Sequence, residues 1–511
     1  MKRLSLLLSI TLCVGAQAQI VLTPVGGYDL GGETAAEISA YDPGTRRVFS
    51  TNGESSRIDV YNIANPASPV SVGQIPLADP PTSVAADRGI IAVAVPNATK
   101  TDPGKVKFYS AQTLQFLGEV TVGALPDMLT FTPNGNFVLV ANEGEPNSYN
   151  QADSVDPEGS VSIIDVRVGV INISQDKVRT AQFTASTPLK NAASIRIFGP
   201  NATFAQDVEP EYITVSHNSK TAWVSLQENN AIAVIDIDSA TVTEVIGLGF
   251  KNHNLPGNGF DPSDRDSATN GGINIRNWPV FGMYQPDAIG AYFSKGETYI
   301  VTANEGDARD YTGFAEEIRV GAGGYPLDPT VFPNQAVLKN NANLGRLTVT
   351  SANGNFDGDG DFDAIFAFGA RSFSIRSAGG DLIFDSGDQL EQITAAQFPA
   401  LFNSQGTPAD FDTRSDNKGP EPEGLAIGKV FGRTYAFICL ERIGGLMVYD
   451  VTEPAAPSFV QYITTVPTDL APEGVVFVSE DESSTGNPLL IVSHEGSGTI
   501  RIFEITKSKK K

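Results

Sequence analysis

The chain has 511 residues, 41% of them hydrophobic, with 35 Lys and Arg against 59 Asp and Glu, a formal net charge of −24. That length and apolar content allow a large core, and that charge excludes nucleic acid and anionic membranes as natural partners while favouring cations. The 50 glycines and 32 prolines, set between short apolar runs, point to an all-β chain with many turns.

Residues 1–18 read as a signal peptide. Lys2 and Arg3 give a positive start, Leu4 to Val14 a short apolar run, and Ala16-Gln17-Ala18 a small-residue cleavage site. The run is too short to span a bilayer. A lipoprotein signal is disfavoured because Leu12, not a small residue, precedes Cys13. The expected outcome is export to the periplasm or beyond, with no membrane span. Cleavage before Gln19 removes two bases and no acid, so the charge moves from −24 to −26. Only Cys439 then remains, which excludes an internal disulfide. It lies in the apolar run Tyr435-Ala436-Phe437-Ile438-Cys439-Leu440 and reads as a buried thiol rather than a nucleophile.

A repeated unit follows. Weak copies run from Ile38 to Val60 and from Thr82 to Tyr109. The clearest copy opens at Pro126-Asp127, turns at Pro133-Asn134-Gly135-Asn136, ends a second strand at Ala141-Asn142-Glu143-Gly144, and continues to Ser160–Val166. Others open at Glu209-Pro210-Glu211, at Pro286-Asp287 (closing on Ala303-Asn304-Glu305-Gly306), at Glu421-Pro422-Glu423 and at Pro472-Glu473 (closing on His494-Glu495-Gly496). Ala364 to Phe384 reads as three short strands of a further unit. The count is eight units, or seven where two merge. Units of strand, turn, strand, loop, strand, turn, strand predict a single β-propeller of seven or eight four-stranded blades over residues 19–506, of the WD40/YVTN-like class. Stacked sandwiches and a β-helix are the alternatives, and the repeat length argues against the latter. Ile20-Val21-Leu22 and Ile500-Arg501-Ile502-Phe503 are placed together in the closing blade. The stretches 147–159, 250–284 and 312–343 are polar insertions without expected regular structure. Residues 507–511 form a basic tail.

In a blade, an acid before strand one and an acid after strand two fall on the same rim. That rim therefore collects Glu143, Glu209, Glu211, Asp287, Glu305, Asp307, Glu421, Glu423, Glu473 and Glu495. Like charges at ~4 Å repel by about 4 kcal/mol at an effective dielectric near 20, so something must neutralise them. Oxygen-rich, sulfur-poor, histidine-poor sites suit Ca²⁺ or Mg²⁺; Ca²⁺ is the expected ion, with a second divalent or an iron ion as a companion. The bland alternative is that each acid caps a turn. A second acidic stretch, Asn355-Phe356-Asp357-Gly358-Asp359-Gly360-Asp361, resembles the start of a calcium loop. Position twelve from Asn355 is Phe366 rather than Glu, so an EF-hand is rejected and a calcium-stapled loop through Asp357, Asp359 and Asp361 is expected. Arg309, Arg371 and Arg442 map to the rim, where they could grip phosphate or pair with carboxylates.

Several motifs together carry a resemblance: Asn277-Trp278-Pro279-Val280, Gly282-Met283-Tyr284-Gln285-Pro286-Asp287, Ala303 to Tyr311, Phe356 to Asp361, Gly369 to Ile375, and Lys418 to Gly424. The chain resembles the choice-of-anchor I domain of bacterial exported proteins, which is similar to mesenchyme-specific cell-surface glycoproteins of skeleton-forming animal cells. The resemblance implies an exported propeller. Bacterial relatives often carry an alkaline phosphatase label, and the animal proteins are tied to calcium mineral. The reading is an exported, calcium-binding propeller acting at or outside the envelope. The alternative is a metal-dependent phosphomonoesterase in which rim metals and the catalytic arginines Arg309, Arg371 and Arg442 act on phosphate esters. Whether the chain is an enzyme stays open at this point.

Overall fold

The computed structural model describes residues 20–267 and 271–508. Residues 1–18, expected to be a signal peptide, and the end of the basic tail lie outside the described residues. Seven antiparallel four-stranded units form a ring, one of them extended by a short fifth strand, Leu189–Lys190, that runs parallel to its outer strand Thr241–Gly247. Their innermost strands are Ser39–Asp42, Ser83–Asp87, Pro126–Phe131, Pro210–Val215, Ile289–Ser294, Pro422–Val430 and Pro472–Val478. We number the blades one to seven in that order. Each inner strand lies against that of the next blade, and the seventh returns to the first. The fold is a seven-bladed propeller.

The ring holds because each sheet is apolar on both faces, so every blade buries one face against each neighbour. Seven hydrophobic cores fill the seven gaps between blades. Between blades three and four, Leu139, Val161 and Ile163 meet Val224, Ala233 and Ile235, all with no exposed surface. Cys439 is fully buried in the core between blades six and seven, as its apolar neighbours imply. Blade seven closes the ring with both chain segments: Ile20–Asp29 runs antiparallel to Thr499–Lys507, pairing Ile20 with Lys507 and Asp29 with Thr499.

The choice between seven and eight units is settled at blade five. Its first two strands are Ile289–Ser294 and Glu297–Asn304, and its last two are Ser372–Ser377 and Leu382–Asp385. The stretch from Ala364 to Phe384 is thus not an eighth unit. It completes a blade interrupted by an insertion after Asn304. The insertions also carry more structure than their polarity suggested. Phe250–Asn252, Phe281–Met283, Phe366–Ala367, Thr348–Thr350 and Glu317–Arg319 form one accessory five-stranded sheet. It has its own core around Phe260, Trp278, Tyr325, Leu347 and Ile365. No helix among the described residues is long and apolar enough to cross a membrane.

Candidate metal centre at the channel mouth

Strand one of each blade runs away from one rim and strand two returns to it, so the accessory sheet and both sets of repeated acids share that rim. The local sequence dictates how the acids point. In blades three, four, six and seven the pairing register shifts just after the anchoring proline, between Pro126 and Leu129, Pro210 and Ile213, Pro422 and Leu425, and Pro472 and Val475. A bulge of this kind lifts residues off the ladder and re-aims their side chains. The residues lifted include Asp127, Glu211, Glu423 and Glu473. Before three of those prolines the chain turns through a left-handed residue: Leu125 at φ 47°, Glu421 at 51° and Ala471 at 52°. Gly424 lets the bulges nest, since a Cβ there would lie 1.6 Å from the Glu473 carbonyl oxygen.

The Asn of Ala-Asn-Glu-Gly has a separate task. The Asn142 amide donates to the Ser160 and Ser162 hydroxyls, and the Asn304 amide to those of Ser372 and Ser374. Both amides are fully buried and tie strand two to strand three. The following Glu143 and Glu305 are thereby fixed at the strand end.

These devices bring Asp287, Glu305 and Glu423 together: one carboxylate oxygen from each lies within 4.8 Å of the others. Glu305, Glu421 and Glu441 satisfy the same criterion. The second trio already has a cation. Lys418 Nζ donates to Glu305 Oε1 at 2.5 Å and lies 3.3 Å from Glu421 Oε2. Arg414 and Arg442 also reach Glu421, at 2.7 and 3.3 Å. Burial opposes ionisation of Glu421, yet Lys418, Arg414 and Arg442 outweigh it and hold its carboxyl below the usual range. The first trio shares Lys418 only through Glu305, and its other two members make no ion pair among the described residues. Burial, reinforced by neighbouring carboxylates, pushes Asp287 and Glu423 far above the usual range. Glu423 Oε2 and Glu441 Oε2 are buried with no hydrogen-bond partner.

The rest of the mouth is equally acidic. Glu37, Asp127, Asp287 and Glu473 line a cavity of about 50 Å³ at the channel entrance, floored by Tyr212. Burial raises Glu37 to about 8 and Asp127 to about 7, again helped by nearby acids. Glu143, Glu211, Glu228 and Glu473 are raised far more, with desolvation the first cause in each. Glu495 occupies the turn after strand two of blade seven, and Asp307 is half-exposed beside Lys418. Sequence reasoning overlooked Glu37, whose copy of the anchor has no proline to mark it.

Two expected placements need correcting. Arg309 and Arg371 are not open at the mouth; they are buried, 1% and 4% exposed. Arg309 is sandwiched by Asp207 and Glu209 at 3.1 and 3.2 Å. Arg371 donates to Glu391 Oε1 and to the carbonyls of Asp261, Ser415 and Asn417, each at 2.7 Å. Glu209 is itself an anchor acid of blade four, while Asp207, Asp261, Glu391, Ser415 and Asn417 lie outside the hairpin that carries each arginine, so spacing within the repeat does not show these pairings. Arg442 does reach the rim, paired with Glu421 and Glu441. The loop acids also divide. Asp361 meets Asp328 and Asp363 within 4.8 Å, whereas Asp357 and Asp359 are exposed and accept backbone N–H groups of their own turn.

Comparison with known proteins places this geometry. The model of the choice-of-anchor I domain matches residues 37–454. Gigasin-3a of Magallana gigas is 32% identical over 190 residues, 33% of this chain and 66% of that protein. The mesenchyme-specific cell surface glycoprotein of Strongylocentrotus purpuratus is 30% identical over 286 residues, 50% of this chain and 36% of that protein. The chain thus spans just under two thirds of one curated relative and about a third of the other. Among solved structures, hydrazine synthase of Kuenenia stuttgartiensis is similar at a TM-score of 0.46 and 13% identity, covering 94% of this chain and 97% of that one. The WD40 domain of Toxoplasma gondii coronin is similar at 0.49 and 7%, covering 98% and 89%. The propeller assignment rests on the sheet order rather than on these likenesses.

Proposed function

The chain belongs to the choice-of-anchor I family, and on that premise we propose that it is an exported propeller whose channel mouth binds a divalent cation, Ca²⁺ first. The observation that carries this is the trio Asp287, Glu305 and Glu423, converging within 4.8 Å, in which Lys418 pairs with Glu305 alone and Asp287 and Glu423 make no ion pair among the described residues. Oxygens at that mutual spacing suit a hard ion with bonds of about 2.3–2.6 Å, and neutral or acidic oxygen donors suit Ca²⁺ over zinc. The further acids at the mouth, Glu143, Glu209, Glu211, Glu421, Glu473 and Glu495, would hold the ion's field and its water rather than ligate it directly. Asp361, with Asp328 and Asp363, is a weaker second location, and Asp357 and Asp359 support its loop. A place at or outside the cell envelope accords with the name of the sea-urchin relative, a cell surface glycoprotein.

A phosphomonoesterase would need cationic donors facing a bound phosphoryl group. Arg309 and Arg371 are buried in ion pairs, and Arg442, Arg414 and Lys418 are each paired with carboxylates of the mouth, so binding without catalysis is the reading we adopt.

The test is a melting curve with and without chelator. A ligand that binds only the native state adds about 2.7 kcal/mol at a hundredfold excess over Kd. Calcium should therefore raise Tm and chelator lower it, and Glu423→Gln should abolish the response. Indifference of the wild-type protein to both calcium and chelator would overturn the reading.

A further inference from the structure

The face opposite the acidic mouth carries a cavity of about 450 Å³. It lies where the turns joining strands one and two of blades three to six approach one another. Its size is that of a small-molecule site. Val215, Phe293 and Ile427 supply apolar wall, and Tyr292, His217 and Lys429 supply polar groups. No Asp or Glu lines it among the described residues, although the chain carries 59 acids to 35 bases.

Three features of the lining are unsatisfied. Tyr292 is 7% exposed, and its hydroxyl is buried without a hydrogen-bond partner. Such groups are rare in folded proteins because the lost water is not replaced. Phe293 is 60% exposed, an aromatic ring left in water at the cavity edge. Lys429 is exposed and makes no ion pair among the described residues. An ammonium and an open aromatic ring around one cavity describe a ligand with an anionic end and an apolar body.

We propose that this cavity binds a small organic carboxylate whose body is about the size of an aromatic ring. Lys429 pairs with the carboxylate, and Phe293 with Ile427 covers the apolar part. The site is independent of the cation centre, from which it is separated by the depth of the disk.

Hydrocinnamate, with hydrocinnamyl alcohol as its uncharged twin, probes the site on the full chain by ligand-observed NMR and calorimetry. Saturable binding of the acid with a Kd of about 1 mM or tighter is expected, with the alcohol at least about tenfold weaker. Lys429→Glu should melt like wild type, since the side chain is exposed, and lose the acid by at least about tenfold while leaving the alcohol unchanged. Phe293→Ser should weaken both probes alike. Equal affinity for acid and alcohol, an unaffected Lys429→Glu variant, or no saturation by about 10 mM, tenfold above the expected Kd, would each overturn the proposal.

Discussion

Replacing Lys418 by methionine should tighten calcium binding. The ammonium lies 2.5 Å from Glu305 Oε1, and Glu305 belongs to both carboxylate trios. A calcium ion on Glu305 at about 2.4 Å would stand roughly 5 Å or less from Lys418 Nζ. At an effective dielectric near 20, a single and a double positive charge ~5 Å apart repel by about 6–7 kcal/mol. The lysine can relax toward Glu421, which recovers much of that cost. If a third of the repulsion survives, its removal gives about 2 kcal/mol, or roughly thirtyfold in Kd. Methionine keeps the length of the side chain and most of its packing. Glu421 retains Arg414 and Arg442, so the fold keeps its other charge compensation. Calorimetric titration of chelator-treated protein gives the answer directly. The variant should also melt lower than wild type without calcium and gain more on its addition. An unchanged or weaker calcium affinity would show that Lys418 and the ion do not share Glu305, and the assignment of the centre would fall with it.

Other outcomes follow from the same structure. Arg371→Ala should destabilise the fold by about 3–5 kcal/mol, read from denaturant unfolding, because it leaves the buried Glu391 unpaired. Gly424→Ala should cost at the upper end of ~1–3 kcal/mol or more and blunt the calcium response, since the new methyl meets the Glu473 carbonyl. Buried Asp261 and Asp412 are raised by desolvation to about 9 and about 8. The folded state therefore holds protons that the unfolded chain releases near pH ~4, so this contribution to stability is full below pH ~4 and is lost progressively as pH climbs through the folded values. Tm should fall between pH 6 and pH 9, and Asp261→Asn with Asp412→Asn should flatten the slope; a rising slope would contradict the burial argument.

Much of this was legible in the chain because blades are local. Asp127 with Glu143 and Asp287 with Glu305 are each set by one hairpin, so spacing alone put them on one rim. Ring closure by Ile20–Asp29 was visible from the apolar runs at both ends. What spacing hid was everything made by insertion. Blade five is split by the segment after Asn304, so its second half looked like a separate unit. Arg309 and Arg371 sit close in sequence to rim acids, but their fate is decided by Asp207 and Glu391, which belong to other elements. Only the three-dimensional arrangement shows that Lys418 ties Glu305 to the compensated cluster around Glu421 and leaves Asp287 and Glu423 without an ion pair.

The pairing in blade seven also fixes an orientation. Thr499 and Asp29 stand at the acidic rim, so Lys507 and Ile20 stand side by side at the far one. Anything joined ahead of Ile20 or beyond Lys507 leaves from the face that the carboxylates do not occupy. Held by either point to a bead, a wall or a neighbouring domain, the disk would lie with its back to the support and its carboxylates turned to the medium. Protein immobilised through one end should then exchange calcium as freely as protein in solution, and the two attachment points should be interchangeable.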